Sequence, residues 1–246
     1  RPMHTQKVLE SIKKNNIKNL IIFVDGLKHP QDKKKRNQLI KIIKQYKSLI
    51  EKIIYRKENL GLAKNIENSI NETFENGAEG IVVLEDDCVL KKNASVYFKK
   101  CLEKYYFNKE IRSVCGYNLL QAKFQKNYKD NLLMIKRFST WGWATWKDRW
   151  KDFIDRKKIL KKNLHKINHV PKDLQNLIKI TNTKNFKKNI WSIDWIFIHY
   201  ATKTFCIYPP CSMIENIGLD GSGVNCKISN MFSENNTFNL TLKNIN

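Results

Sequence analysis

The sequence predicts an α/β protein with a mixed, mostly parallel sheet and helices on both faces. Short apolar runs such as LIIFV and IVVL have the length of buried strands. Amphipathic helical segments separate these runs, and parallel strands need such crossover connections. The runs are apolar without alternation, which is typical of strands that are covered on both faces.

The first half of the chain alternates helical and extended segments. The helix HTQKVLESIKKN precedes the strand NLIIFVDG, and the helix KKRNQLIKIIKQYKSLIEK precedes the strand EKIIYRK. A third helix, GLAKNIENSINETFEN, precedes the strand GIVVLEDD. This order predicts a doubly wound layout, in which ligands bind at the carboxyl ends of the strands.

The second half of the chain is rich in aromatic residues. Its main segments are RFSTWGWATWKDRW, NIWSIDWIFIHYA and FCIYPPCSMIENIGLDGSG. They predict loops, a helix and short strands rather than further regular strand–helix units. His199 lies in an aromatic, apolar run, which favours a hydrogen-bonded core histidine.

The composition limits the classes of function. The 246 residues include 46 Lys and Arg against 23 Asp and Glu, a formal net charge of +23. This charge favours an anionic partner, or it reflects a compositional bias that also enriches Asn and Ile. Zinc-finger spacing and RNA-binding signatures are absent from the sequence, so nucleic acid is not the expected partner. The six cysteines form no CxxC pair and are expected to be reduced thiols.

Three consecutive acids, Glu85, Asp86 and Asp87, follow the apolar run IVVL. Adjacent carboxylates raise each other's pKa, so an opposing charge is needed to keep them ionised. A divalent cation would supply it, and hard oxygen ligands suit Mn²⁺ or Mg²⁺. The other interpretation is a solvated acidic turn or a pair of acids that caps the next helix.

The order of short motifs resembles the GT-A glycosyltransferases. It is similar in particular to N-acetylglucosaminyltransferase I and to bacterial transferases of surface-polysaccharide biosynthesis. The segments that carry the resemblance are RPMHTQKVLESI, FVDG, YRKENLGLAKNIENSI, IVVLEDDCVL, RFSTWGWATW, WSIDW and IENIGLDGSGVN. The resemblance implies a GT-A, Rossmann-like fold whose first strand should precede Arg1. It also implies one domain over residues 1–246, with a nucleotide-sugar-binding half (1–118) and an acceptor-binding half (119–246).

The resemblance assigns five residues to the donor side. Arg1 would lie near the donor diphosphate, and Asp25 would bind the uracil. Glu85 and Asp86 would hold the ribose and the sugar nucleotide. Asp87 would ligate the Mn²⁺ or Mg²⁺ ion that bridges the two phosphates.

On the acceptor side, the resemblance assigns the catalytic base to Asp194, with Asp220 as the main rival. Trp141 and Trp143 are expected to contact the acceptor, because sugar faces stack on aromatic rings; plain core packing is the alternative. Asn225 stands where the bacterial branch commonly has a histidine. Since Asn is a poor ligand for a catalytic metal, Asn225 is left out of the metal set.

Together these implications predict a metal-dependent, inverting enzyme that moves a sugar from a UDP-sugar to an acceptor hydroxyl in lipopolysaccharide, capsule or related glycan biosynthesis. The glycan acceptor would be free or lipid-linked. The expected location is cytoplasmic, with peripheral contact to the anionic inner face of the membrane. Two alternatives stay open: a nucleotidyltransferase on a similar α/β sheet, and a non-catalytic basic binding module.

Overall fold

Nine strands and eight α-helices lie in the part of the chain that the computed structural model describes, residues 1–118, 132–181 and 191–221. The strands are β1 (Leu20–Val24), β2 (Ile50–Tyr55), β3 (Gly80–Val83), β4 (Cys88–Leu90), β5 (Ile111–Cys115), β6 (Leu133–Ile135), β7 (Trp143–Trp146), β8 (Phe205–Tyr208) and β9 (Ile214–Asn216). The α-helices are α1 (Pro2–Lys14), α2 (Lys33–Gln45), α3 (Leu62–Glu75), α4 (Ala94–Lys104), α5 (Lys147–Ile154), α6 (Arg156–Asn163), α7 (Lys172–Thr181) and α8 (Trp191–Ala201). Short 3₁₀ helices span Pro30–Asp32, Lys47–Leu49 and Leu164–His169.

The helices and strands of the first half follow the predicted order. Helix α1 starts at Pro2, where the missing N–H of proline costs no hydrogen bond, and buries one face that includes Val8, Leu9 and Ile12. Helix α3 buries Ile70 and Phe74 on one side. Hydrophobic periodicity therefore located these elements correctly.

The described strands form three sheets. Strands β1 and β2 pair in parallel, β4 and β9 pair antiparallel, and a five-stranded sheet has the order β3-β7-β5-β8-β6. Within the five-stranded sheet, only β5 and β8 pair in parallel. Parallel pairing is thus less frequent among the described strands than the sequence predicted. The reason is that β7 lies between β3 and β5 and runs antiparallel to both.

Helices cover both faces of the five-stranded sheet. Alternate residues of its central strands belong to two hydrophobic clusters, as the two-residue period of a strand requires. The first cluster contains Val114, Ala144 and Ile207 with Tyr97 and Phe98 of α4. The second includes a group of aromatic residues from β7, α5 and α8, among them Trp143, Trp150, Phe153, Trp191 and Trp195. The α/β class, the mixed sheet and the two helical layers are therefore confirmed.

The polar interior of this sheet includes His199, which is fully buried. Its Nε2 lies 3.1 Å from the Ser113 hydroxyl, which also accepts a hydrogen bond of 3.0 Å from the Trp195 indole. Burial and the nearby Arg112 charge lower the pKa of His199 well below its usual value. His199 is the hydrogen-bonded core histidine that the sequence favoured.

None of the described helices has the length and apolar character that a membrane crossing requires.

Candidate functional site

The three acids lie in the turn between β3 and β4, just beyond the carboxyl end of β3. The amide of Cys88 donates to the Glu85 carbonyl oxygen at 3.1 Å and closes this turn. The amide of Ile217 donates to the Asp87 carbonyl oxygen at 2.9 Å, next to the β4–β9 pair. One local hydrogen bond and one from a distant segment therefore fix the backbone of the acidic turn.

Arg1 bridges two of the three carboxylates. Its Nη2 lies 2.6 Å from Asp86 Oδ1 and 2.7 Å from Asp87 Oδ2, and its Nε donates to Asp86 Oδ2 at 3.1 Å. The side chain of Asp87 is only 14% exposed. The structure thus brings together three of the predicted donor-side residues, Arg1, Asp86 and Asp87.

The charges of this turn change the pKa values of its members. Burial alone would raise the pKa of Asp86, but the hydrogen bonds and charge of Arg1 outweigh it and lower that pKa. The hydrogen bonds that Arg1 donates to the same carboxylates raise the pKa of Arg1. Burial, with the neighbouring charges of Asp87 and Asp86, raises the pKa of Glu85 to about 7. Glu85 is therefore partly protonated at neutral pH, whereas Asp86 is ionised.

The segment after β9 closes over the acidic turn. A Cβ at Gly218 would overlap Asp87 Oδ2 and lie 3.0 Å from Arg1 Nη1, so only glycine fits there without displacing the pair. Asp220, two residues further on, lies 3.1 Å from His4 Nε2. Sequence reasoning missed His4, although it lies in the first turn of α1, three positions after Arg1.

Asp25 lies directly after β1 and organises the loop that precedes α3. Its Oδ1 accepts hydrogen bonds of 2.8 Å from the amides of Gly26 and Leu60. Its Oδ2 accepts from the Gly61 amide at 3.0 Å and from Asn59 Nδ2 at 3.1 Å. The carboxylate therefore has four donors from its own loops, a role in loop structure that the sequence did not predict.

Asp194 belongs to a separate cluster on α8. Its Oδ2 lies 3.4 Å from Nε of Arg156, whose Nη2 donates to Glu67 Oε2 at 2.8 Å. Burial is the largest influence on the Asp194 pKa and raises it, while Arg156 opposes and Glu67 adds to the rise. The contacts of the described residues place Asp194 with Arg156 and Glu67 rather than with the acidic turn.

The two acceptor tryptophans have different environments. Trp143 is 1% exposed and packs against Phe138, Trp191 and Trp195 in the second core cluster. Trp141 is partly buried and contacts the Tyr117 ring edge-to-face at 4.6 Å. Gly142 between them has φ +64°, in the left-handed region that favours glycine. Only Trp141 keeps part of its surface open to a ligand.

A divalent cation would find oxygen ligands at the acidic turn, but few of them. No group of three or more His, Cys, Asp or Glu within the described ranges is placed to hold a metal ion. Enzymes often hold Mg²⁺ through one or two carboxylates and complete its shell with phosphate and water. Asp86 and Asp87 would fit that arrangement only if Arg1, which now holds both carboxylates, were to bind phosphate instead. Asn225 lies outside the described residues.

The fold and the turn define an α/β protein with a charged site at the carboxyl end of a sheet strand. No family model matches the chain, and no curated protein matches it. Among solved structures, the chain is similar to one described as the crystal structure of apo-UDP-glucose pyrophosphorylase, with a TM-score of 0.42 and 11% identity. The match covers 85% of this chain and 79% of that one. A likeness this distant carries no inference about activity.

Proposed function

We propose that the protein is a metal-dependent, inverting glycosyltransferase that uses a UDP-sugar donor. The observation that carries the proposal is the convergence of Arg1, Asp86 and Asp87 beyond β3, under the backbone of Gly218. This turn offers carboxylate oxygens for a cation and a guanidinium for phosphate, within one hydrogen-bonded unit. A nucleoside diphosphate needs both.

On the donor side, Arg1 would release its carboxylates and bind the diphosphate. Asp87 would hold the metal, and Asp86 and Glu85 would accept hydrogen bonds from ribose and sugar hydroxyls. A bound Mn²⁺ or Mg²⁺ would offset the charge that builds on the leaving diphosphate. Asp25 would contribute to uracil binding through the loop that it organises.

On the acceptor side, Asp194 would take the proton from the attacking hydroxyl. A raised pKa makes its carboxylate a stronger base, and Glu67 adds negative charge beside it. Arg156 would hold the carboxylate in place. Asp220 is the rival base, since it lies beside His4 close to the acidic turn. Trp141 would contact the sugar ring of the acceptor.

The acceptor that we propose is a growing glycan of lipopolysaccharide, capsule or a related polymer, free or lipid-linked. A cytoplasmic location at the inner face of the membrane belongs to the same proposal. The net charge of +23 supports a partner with negative charge.

The test separates this function from a nucleotidyltransferase. The protein is incubated with UDP-sugars and Mn²⁺, once with water or glycan acceptors and once with pyrophosphate. Release of UDP supports sugar transfer, whereas formation of UTP and a sugar 1-phosphate with pyrophosphate would establish the alternative.

A binding experiment tests the remaining alternative, a non-catalytic basic binding module. UDP with Mn²⁺ should raise the melting temperature, while RNA and DNA should not. Stabilisation by nucleic acid alone, with no nucleotide-sugar turnover, would instead support a non-catalytic basic module.

A further inference from the structure

One arginine serves two acids in the cluster around Asp194. Nη2 of Arg156 donates to Glu67 Oε2 at 2.8 Å, whereas its Nε lies 3.4 Å from Asp194 Oδ2. The first distance is that of a charge-assisted hydrogen bond, and the second exceeds the usual range. The guanidinium therefore favours Glu67 and leaves Asp194 with the weaker contact.

The orientation of Arg156 is set by contacts other than the one with Asp194. Its Nη1 donates to the Phe153 carbonyl oxygen at 3.1 Å, and the guanidinium lies 4.3 Å from the centre of the Phe153 ring. Together with the bond to Glu67, these contacts hold both terminal nitrogens and one face of the guanidinium. Asp194 receives only the remaining nitrogen, Nε.

Glu67 has no surface through which it could act on a substrate directly. It lies within α3, and its side chain is 16% exposed. Its Oε1 is buried, and no donor among the described residues reaches that atom. A carboxylate that keeps one buried oxygen unpaired is costly to maintain, so its interaction with Arg156 has to be accounted for.

We propose that Glu67 is a positioning residue, which draws Arg156 away from Asp194 and so leaves that carboxylate able to accept a proton. The inference rests on the proposed function, in which Asp194 is the general base. An aspartate paired closely with an arginine is a weak base, because the cation stabilises its charged form. The short contact between Glu67 and Arg156 prevents that close pairing.

The charged groups around α8 support this assignment. The acids of α5 and α7, two other helices packed against α8, form ion pairs with arginines of their own: Asp148–Arg149, Asp152–Arg112 and Asp173–Arg137. In the described part of the chain, the charged side chains that act on the Asp194 carboxyl are Arg156 and Glu67. Burial and Glu67 raise its pKa, and Arg156 lowers it.

The test follows the titration of Asp194 by carbon-13 NMR of the full chain, with Asp194→Asn identifying its carboxyl signal. Glu67→Gln removes the charge and keeps the shape, so Arg156 can pair with Asp194 and the midpoint should fall by about one pH unit. Glu72→Gln, on the same helix, removes the acid that pairs with Arg56 at 2.6 Å and should leave the midpoint unchanged. Circular dichroism checks the fold of each variant. A midpoint that Glu67→Gln does not move would overturn the proposal.

An Arg156→Gln background separates positioning from the charge of Glu67 itself. Without the guanidinium, Glu67→Gln should move the Asp194 midpoint much less than it does in the wild type. Equal shifts in the two backgrounds would contradict the proposal, because Glu67 would then act through its own charge alone.

The titration gives its answer whether or not the protein transfers sugar. If UDP-sugars are not turned over, the proposed function fails, while the NMR midpoint still shows whether Glu67 controls Asp194. If transfer occurs, the acidic limb of its pH–rate profile should move with the Asp194 midpoint in Glu67→Gln. A limb that stays in place while the midpoint moves would overturn the role of Glu67 in catalysis, because the base would be another residue.

Discussion

At the scale of single residues, Arg1 supplies the positive charge that lets Asp86 stay ionised beside two further carboxyl groups. The same charge does not suffice for Glu85, whose pKa burial raises to about 7. The turn therefore has less positive charge than its three acids would need. A cation, or a ligand that brings one, would be stabilised there for this reason.

Asp87 is the residue whose loss should abolish metal dependence. Wild-type protein should bind UDP at least about tenfold more tightly with Mn²⁺ than with a chelator, a difference of about 1.4 kcal/mol. Asp87→Ala should bind UDP equally in both conditions, while Arg1 keeps its contacts with Asp86. Calorimetry measures both affinities, and Asp155→Ala, which removes an exposed acid, is the control. Equal wild-type affinity with and without metal would exclude a metal role for Asp87.

Asp194→Asn should retain UDP–Mn²⁺ binding and lower sugar transfer by about 10²–10⁴-fold, the usual range for a lost general base. Asp220→Asn should lower the rate of sugar transfer much less. Because the base must be ionised, the wild-type rate should fall as the pH drops through the raised pKa of Asp194. Initial rates across a pH series measure this profile. If Asp220→Asn is the more damaging variant and both proteins fold, the base is Asp220.

At the scale of structural elements, periodicity predicted the first half better than the second. Helices α1 and α3 have one apolar face, so a 3.6-residue pattern reveals them. Helix α8 is buried on nearly every side, with Trp191, Trp195 and His199 all in the core, and an apolar run of this kind shows no preferred face. Strand β7 pairs with β3, about sixty residues earlier, and a partner so distant leaves no local signal.

The loop around Asp25 gives a prediction at the same scale. Asp25→Ala removes four acceptor contacts and should free the amides of Leu60 and Gly61, which precede α3. Their hydrogen exchange should accelerate, and the free energy of unfolding should fall by about 1–3 kcal/mol. Asp25→Asn, which retains one acceptor oxygen, should have a smaller effect. Unchanged exchange of both amides in Asp25→Ala would contradict the assigned role of the carboxylate.

At the scale of the whole molecule, the burial of His199 leads us to expect that the free energy of unfolding falls in acid. Its native pKa lies below the unfolded value of about 6.5, so the unfolded state binds the proton more readily. The contribution of His199 to stability is complete above pH 6.5 and falls as the pH drops below it, by up to about 1.4 kcal/mol per pH unit. Chemical denaturation between pH 5 and pH 8, in roughly unit steps, measures the slope.

Glu85 has the opposite effect on stability as the pH falls. Because its pKa is raised in the folded state, its protonation between about pH 7 and 4.5 favours folding. His199→Gln isolates the histidine, because it removes the titrating ring and keeps Glu85. The difference in slope between wild type and variant below pH 6.5 reports His199 alone. Identical slopes would show that His199 does not control acid stability.

The site was predictable where its residues are adjacent in sequence and unpredictable where they are not. Three acids after an apolar run indicate a charged turn at a strand end. The ion pair between Arg1 and Asp86 joins residues 85 positions apart, and only the folded chain shows it. The pairing of Asp194 with Arg156 and Glu67 likewise depends on how α3, α6 and α8 pack, which no local pattern encodes.

The pairing of β4 with β9 has a consequence for the order in which the protein acquires its binding site. The strand and glycine segment that close over the acids of the turn are synthesised more than 120 residues after them. Contacts between such distant segments form slowly, because a long loop must close before they gain any stability. A nascent chain therefore carries its acidic turn unclosed until the β9 segment has also been made, and the site is completed only after that long loop closes.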